Sequence, residues 1–430
     1  MAEGEWNGEF DPLADPDEQK HLLSVLDSFR SYRRLAHLNA THVRRQAFYS
    51  LPSEHWDSLS QLDDLVDSNA DLAEAIFKVG FKTFIAPALD SEWVATIVGP
   101  KNAHDEFLVY STVMDHLNFR TTPENFQNDV EKARSTVNQF YRDWSVEGAV
   151  EREKCFDPVV QALEQEFSKQ RTQTPSLSKA DMRVLLPGAG LGRLLFDICR
   201  AGFSVEGNEL SYHALIASSL ILNHTQKVGQ YKIAPFALQS SNHISRHDQF
   251  RTFSVPDIDP EEELNNATHG TDLPANERMS MAAGDFCLIY NVPSARATFD
   301  AVATVFFVDT APNVIRYIEA VRNCLKVRGL WINLGPLLWH HVSPSRSSGE
   351  GREETTKKHS DAGIADPGSV ELTDEEVIQL VEHLGFTIEA HETGKIETGY
   401  ISNTRSMLQT FYRPSFWIAR KKDTLPSSAG

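Results

Sequence analysis

The stretch VLLPGAGLGRL, Val184–Leu194, joins an apolar run to three glycines at alternate positions. Glycines between a strand and a helix let the backbone approach a ligand closely, and the N–H groups that begin the helix favour an anion. Both dinucleotides and S-adenosylmethionine can use this geometry. A tight turn without a ligand is the alternative interpretation. The stretch therefore predicts a strand, a turn and a helix, while the ligand stays open.

The spacing of the glycines bears on the choice of ligand. Gly188, Gly190 and Gly192 form G-x-G-x-G, whereas dinucleotide sites carry G-x-G-x-x-G. Leucines, Leu194 and Leu195, stand in the region where the last glycine of that motif is expected. The spacing favours S-adenosylmethionine over a dinucleotide.

Strand-like and helix-like runs alternate from Met182 onward. The strand-like runs are MRVLLPG, FSVEGNEL, FDAVATVFFV, LWINLG, FTIEA and SFWIARKK. This alternation is typical of an α/β fold whose parallel sheet is covered by helices. We therefore predict a Rossmann-like sheet over residues 179–423, with polar insertions near 238–280 and 343–370.

The chain before this region has a different character. Residues 21–170 space their apolar side chains three and four apart, which predicts a largely α-helical N-terminal region. Residues 1–20 are acidic and interrupted by prolines, and we expect a disordered tail there. The polar linker KQRTQTPSLSKAD, 169–181, is the predicted boundary.

Composition excludes several kinds of partner. The chain has 430 residues, and its 60 acidic and 41 basic side chains give a net charge of -19, which disfavours nucleic acid and anionic membranes. Four scattered cysteines form no C-x-x-C, so we expect a reducing compartment without disulfides. Neither a secretory signal nor a spanning apolar run is evident. We expect a cytoplasmic protein, with the nucleus as a second location.

Polar residues follow the predicted strands at the edge where α/β folds bind ligands. Glu209 ends the second strand, where a carboxylate can accept hydrogen bonds from ribose hydroxyls. Asp285 and Phe286 suit an adenine, although a helix cap and core packing are the respective alternatives. Asp309 follows an apolar strand, with a cap for the helix near Asn313 as its alternative. His340 follows the fifth strand beside a second histidine, and no third ligand is spaced for a metal site.

Together these motifs resemble one family. VLLPGAGLGRL, GNELS, AGDF, FFVDTAPNVIRYI and WINLGPLLWH, with NQFYRDWS upstream, closely resemble the carnosine N-methyltransferase family over nearly the whole chain after the acidic tail. The resemblance implies an S-adenosylmethionine-dependent methyltransferase domain behind a helical region that contributes to the cofactor site. It also implies methylation of the imidazole of a β-alanyl-histidine dipeptide, which gives anserine.

The resemblance also assigns residues. It implies that the cofactor is contacted by Gln139, Arg142, Gly188, Glu209, Asp285, Phe286 and Val305. Gln139 and Arg142 would lie near the cofactor carboxylate, and Val305 stands where the family usually has cysteine. On the substrate side it implies Asp309, His340 and Tyr412. Thr410 departs from the family, which has a second tyrosine at that position.

The expected reaction needs little acid or base catalysis. The imidazole of a dipeptide, with a pKa of about 6.5, already offers a nitrogen lone pair at neutral pH. Alternatives from the sequence are a methyltransferase for another small molecule or a protein histidine, a nicotinamide-dependent oxidoreductase, and a non-catalytic nucleoside-binding module. We expect a small histidine-containing dipeptide as partner, no metal, and a homodimer as the assembly to test.

Overall fold

The computed structural model of the chain describes residues 13–42, 46, 52–53, 60–102, 104–117, 122–266, 273–339 and 370–423. These residues form two compact units. The helical unit contains the described chain up to Glu147, together with Tyr212–Ile258 and Asn403–Leu408. The sheet unit contains Gly148–Ser211, Asp259–Ser402 and the described chain from Gln409 onward.

The helical unit begins inside the predicted acidic tail. Its helices are α1 (Pro16–Arg30), α2 (Tyr32–Ala36), α3 (Ser60–Gly80), α4 (Ser91–Asn102), α5 (Glu106–His116), α6 (Pro123–Trp144), α10 (Tyr212–Asn223) and α11 (Arg246–Gln249). Helix α1 starts at Pro16 because the Asp15 side chain accepts hydrogen bonds from the N–H groups of Asp17 and Glu18. Residues 1–12 of the predicted tail lie outside the described residues.

A buried polar network connects three of these helices. On α10, His213 Nε2 lies 3.2 Å from Ser28 Oγ of α1 and 3.1 Å from the Asp129 carbonyl oxygen of α6. Ser24 Oγ of α1 donates to Asp129 Oδ2 at 2.5 Å. Burial lowers the pKa of His213 to about 4, so its ring is neutral at physiological pH. The network thus fixes α6, which carries Gln139 and Arg142.

The strands confirm the predicted Rossmann-like α/β sheet. In chain order they are β1 (Arg183–Pro187), β2 (Ser204–Glu209), β3 (Tyr231–Ile233), β4 (Phe253–Val255), β5 (Met279–Ala283), β6 (Phe299–Val305), β7 (Leu325–Gly335), β8 (Phe386–Glu392) and β9 (Ser415–Lys421). Seven of them form one sheet in the order β5-β2-β1-β6-β7-β9-β8. The first five run parallel, and β9 is antiparallel to β7 and β8. Strands β3 and β4 form a separate antiparallel pair in the helical unit.

Helices and apolar side chains surround this sheet. The helices of the sheet unit are α7 (Ala149–Cys155), α8 (Asp157–Gln173), α9 (Arg193–Arg200), α12 (Pro260–Asn266), α13 (Ala275–Arg278), α14 (Phe286–Tyr290), α15 (Val314–Cys324) and α16 (Asp374–His383). Val159, Leu163 and Phe167 of α8 belong to the core cluster that contains Val184 of β1. This packing places α8 in the sheet unit, so the division lies at Glu147 and differs from the boundary predicted in the linker.

The two predicted insertions differ from each other. Residues 238–280 contain β4, the short helices α11 to α13 and the start of β5, the edge strand of the large sheet. The second, 343–370, lies outside the described residues except for Val370. Its flanks are joined, because Trp339 Nε1 donates to the Leu372 carbonyl oxygen at 3.0 Å. Within the described ranges, no helix combines the length and apolarity needed to cross a membrane.

Candidate active site

The glycine loop follows β1 at the carboxyl edge of the sheet. Gly188, Gly190 and Gly192 have φ of +70°, +55° and +77°, a region that favours glycine. The Gly188 N–H donates to the Asn208 carbonyl oxygen of β2 at 2.8 Å. A Cβ at Gly188 would lie 2.5 Å from Phe307 Cδ2. Gly188 is therefore required both for its backbone conformation and for the space that Phe307 occupies.

Glu209 ends β2 and is fastened to this loop. Its Oε2 accepts from the Gly190 N–H at 2.9 Å, and its Oε1 accepts from the N–H groups of Leu210 and Ser211 at 3.0 and 2.9 Å. Burial raises the pKa of the carboxyl, against the opposing effect of these three bonds. Because a carboxylate offers about four acceptor positions, this arrangement leaves capacity for a further donor such as a ribose hydroxyl.

Asp285 and Phe286 follow β5. Asp285 caps a helix and Phe286 packs in the core, as the alternative interpretations of these residues predicted. Asp285 Oδ1 accepts from the N–H groups of Cys287 and Leu288 at 2.8 and 3.1 Å, which caps α14. The Phe286 ring is buried, with its centroid 5.5 Å from that of Phe307 and 5.4 Å from that of Tyr317. Capping uses one oxygen of Asp285, and the ring of Phe286 belongs to the cluster that packs under the glycine loop.

Asp309 lies in a short 3₁₀ turn, Val308–Thr310, after β6. Its side chain is buried, and its Oδ2 accepts from the Leu338 N–H at 2.9 Å, in the segment that follows β7. The interpretation of Asp309 as a helix cap is wrong, because the Asn313 side chain caps α15 through the Ile315 N–H. Asp309 instead connects the chain after β6 with the chain after β7, at the carboxyl edge of the sheet.

Tyr412 reaches the same edge through the antiparallel strand. Ser415, which begins β9, pairs with Gly335, which ends β7, and Tyr412 exchanges backbone hydrogen bonds with Thr398. Phe306 has a φ of +53°, which is uncommon for a residue with a side chain. Its ring centroid lies 5.3 Å from that of Tyr400 and 5.9 Å from that of Tyr412. We call these three rings the aromatic wall.

Sequence reasoning missed two members of the aromatic wall, Phe306 and Tyr400. The available signal was the aromatic pair between the apolar strand and Asp309 in FFVDTA. Tyr400 is 36% exposed, so one ring of the wall is open to a ligand. Nothing in the local sequence of Tyr400 indicates that it meets Phe306, because the contact depends on the path of the chain before β9.

The sheet unit thus brings together most of the predicted site residues at one edge: Gly188, Glu209, Asp285, Phe286, Val305, Asp309 and Tyr412. The two others within the described chain, Gln139 and Arg142, lie on α6 of the helical unit, three residues apart and therefore on one face. Arg142 is buried, with its Nε 4.0 Å from Asp143 Oδ1. His340 lies outside the described residues. Over the described chain, no group of three or more histidine, cysteine or acidic side chains is arranged to hold a metal.

Comparison with known sequences finds similarity to one family of methyltransferases. A family profile described as Carnosine N-methyltransferase matches residues 119–423. A curated Carnosine N-methyltransferase from Schizosaccharomyces pombe is 33% identical, covering 94% of this chain and 97% of the relative. One from Rattus norvegicus is 32% identical over 94% of this chain and 86% of its own. Carnosine N-methyltransferase unmet from Drosophila melanogaster is 36% identical over 70% of this chain and 57% of its own.

Proposed function

This chain belongs to the carnosine N-methyltransferase family, and from that premise we propose that it methylates the imidazole of carnosine, or of a related histidine-containing dipeptide, with S-adenosylmethionine as methyl donor. One observation carries the proposal. The glycine loop and Glu209 follow β1 and β2, while Asp309 follows β6, so the two sets flank the point where the strand order reverses. Open α/β sheets bind their ligands at this point.

The residues at this edge fit the donor. S-adenosylmethionine supplies a methyl group bonded to a positively charged sulfur. The glycine loop would let its backbone approach the nucleoside, Glu209 would accept a ribose hydroxyl, and Asp285 with Phe286 would face the adenine. Val305 would contribute packing at the end of β6. Gln139 and Arg142 would bind the carboxylate of the donor, for which a guanidinium is well suited.

Asp309 is suited to choosing the reacting nitrogen. Its carboxylate would accept the N–H of the nonreacting ring nitrogen, which leaves the lone pair on the nitrogen nearer the side-chain methylene. As that nitrogen gains the methyl group, the ring becomes cationic, and a carboxylate at ~4 Å stabilises it by roughly 4 kcal/mol at an effective dielectric near 20. The aromatic wall, which includes Tyr412, would hold the imidazole ring. The family resemblance implies that His340 contacts the substrate as well.

The proposal is tested with labelled S-adenosylmethionine and four acceptors: carnosine, related dipeptides, free histidine and a lysate rich in protein histidine. We expect a methylated dipeptide, identified by mass spectrometry. Methylation of lysate protein without any dipeptide would exclude the small-substrate proposal. Calorimetry with S-adenosylmethionine and NAD tests the cofactor, and binding of NAD alone would favour the oxidoreductase.

Replacement of Glu209 by glutamine is expected to weaken S-adenosylmethionine binding by about 1.5 to 3 kcal/mol, typical of hydrogen bonds to a charged acceptor. Both carboxylate oxygens face backbone N–H groups, so the amide of Gln must oppose one of them. Burial raises the pKa of Glu209. As the pH is lowered, the affinity of the wild-type protein for the donor should therefore begin to fall at a pH higher than that at which an ordinary glutamate is protonated. Calorimetry measures both, with Glu206→Gln on the same strand as the unchanged control.

Arg142→Met is expected to weaken S-adenosylmethionine binding by about tenfold or more, because a charge-assisted hydrogen bond is lost. The same variant should bind methylthioadenosine normally, since that molecule lacks the amino-acid carboxylate. Lys132→Met on the exposed side of α6 is the matched control. Equal losses for both ligands would mean that Arg142 acts through the fold of α6 and not through the carboxylate.

Tyr400→Leu is expected to raise KM for the dipeptide by about three- to tenfold while kcat changes little, because an exposed ring that packs against the neutral imidazole contributes roughly 0.5–1.5 kcal/mol to substrate and transition state alike. Tyr400→Phe keeps the ring and should retain the wild-type KM. Phe411→Leu removes an exposed ring outside the aromatic wall and serves as the control. A KM that rises equally in Tyr400→Phe would assign the effect to the hydroxyl.

A further inference from the structure

The helical unit contains a hollow whose lining carries two arginines and a histidine beside a single carboxylate. Its volume is about 490 Å³, and its lining includes Arg246, His247, Phe250, Arg251, Phe253 and Glu147. The whole chain carries a net charge of -19. A local concentration of guanidinium groups therefore opposes the overall field, as expected where one small anion is to be held.

Aromatic rings orient both guanidinium groups of this hollow. Arg246 Cζ lies 5.9 Å from the ring centroid of Phe250, and Arg251 Cζ lies 4.8 Å from that of Phe253. Arg246 Nη1 donates to Gln249 Oε1 at 2.5 Å. Among the described residues, no carboxylate forms an ion pair with either guanidinium. Since each guanidinium has five N–H donors in a planar fork, most of these donors are available to a ligand.

The floor of the hollow is closely packed. Phe253 belongs to β4 and is buried, and its ring centroid lies 4.6 Å from that of Tyr141 on α6. Gln249 is buried as well, and its Nε2 donates to the carbonyl oxygens of Ala237 and Gln239 at 3.1 and 2.6 Å. The residues next to both arginines are thus held by packing and hydrogen bonds, which reduces the entropy lost on binding.

We propose that this hollow binds a small phosphate monoester with an aromatic body. Planar guanidinium groups match phosphate oxygens in pairs, His247 adds a ring N–H donor, and the half-buried Phe250 offers a ring for the body to pack against. Glu147 places one carboxylate at the lining, which together with the charge of the chain disfavours a polyanion such as nucleic acid. The lining of the hollow shares no residue with the methyl-transfer site proposed above, and the proposed binding involves no reaction.

Calorimetry on the full chain tests the site with three probes: phenyl phosphate, inorganic phosphate and phenol. We expect phenyl phosphate to bind with a submillimolar dissociation constant, inorganic phosphate more weakly, and phenol not at all. The double variant Arg246→Gln/Arg251→Gln should weaken phenyl phosphate binding at least tenfold. Arg171→Gln is the matched control, because its guanidinium also lies over a phenylalanine ring, 5.8 Å from Phe167, but outside the hollow.

A second measurement does not depend on the variants folding. In the wild-type protein, phenyl phosphate should shift the imidazole NMR resonances of His247 with the same dissociation constant as calorimetry. Absence of binding, equal affinity in the double variant, or a silent His247 would overturn the proposal. If phenol binds as tightly as phenyl phosphate, the proposed recognition of the phosphate is wrong. If inorganic phosphate binds as tightly as phenyl phosphate, the proposed contact with an aromatic body is wrong.

Discussion

Asp309→Asn is expected to lower turnover of carnosine by about 100-fold or more, on the scale of losing one electrostatic stabiliser, while S-adenosylmethionine binds as before. The Leu338 N–H occupies one carboxylate oxygen, so the oxygen of Asn is drawn to that donor. Its NH₂ group then faces the ring N–H that the carboxylate would have accepted. The variant thereby loses both the charge and the hydrogen bond that select the reacting nitrogen.

Single-turnover kinetics with labelled donor measures the chemical step for this variant. Thr310→Val, in the same 3₁₀ turn, removes a hydroxyl that donates to the Phe307 carbonyl oxygen. It should change turnover less than threefold, because the charge of Asp309 is kept. Wild-type turnover by Asp309→Asn would exclude the proposed role. Loss of donor binding in the same variant would assign Asp309 to the fold of the edge.

Gly188→Ala is expected to destabilise the protein by about 2 to 5 kcal/mol and to abolish measurable donor binding. The left-handed conformation costs a residue with a Cβ about 1–2 kcal/mol, and overpacking adds about 1–3 kcal/mol. Phe307 has little room to retreat, because it stacks on Tyr317 with ring centroids 4.7 Å apart and the planes inclined by 12°. Denaturant unfolding and calorimetry measure the two effects.

Two further variants separate backbone conformation from packing. A Cβ at Gly190 meets nothing within 4 Å, although its φ is also positive, so Gly190→Ala should show only the conformational part of the lost stability. Phe307→Leu combined with Gly188→Ala should recover part of the loss, because it relieves the contact. Equal destabilisation by Gly188→Ala and Gly190→Ala would show that Phe307 does not constrain the loop.

The central part of the fold was predictable because its signals are local. Strands β1, β6 and β7 each contain a short apolar run, and the glycine loop identifies the first of them. Strand β5, Met279–Ala283, was not predicted as a strand, since it lies at the sheet edge, where burial on both faces is incomplete and the sequence stays partly polar. Its pairing with β2 is fixed by tertiary contacts.

The site was predictable to the extent that each residue follows a strand. The positions of Glu209 and Asp309 were predictable because each residue stands at the end of a strand. The hydrogen-bond partners of the two carboxylates were not predictable from the sequence. Asn313 caps α15 and Asp309 does not, because the position of the cap depends on the local backbone conformation over a few residues. Tyr400 meets Phe306 only because of the path that the chain takes between β8 and β9.

The hydrogen bond between Trp339 and Leu372 has a consequence for how this chain can change. The two flanks are fastened to each other, so we expect that a change in the number of residues after His340 leaves the strands on either side in place. For a flexible chain, doubling the number of residues between two fixed points adds only about 0.6 kcal/mol of closure entropy. The chain between His340 and Val370 is therefore expected to tolerate evolutionary growth and shortening, and it is a suitable place to graft a reporter domain as long as His340 stays next to Trp339.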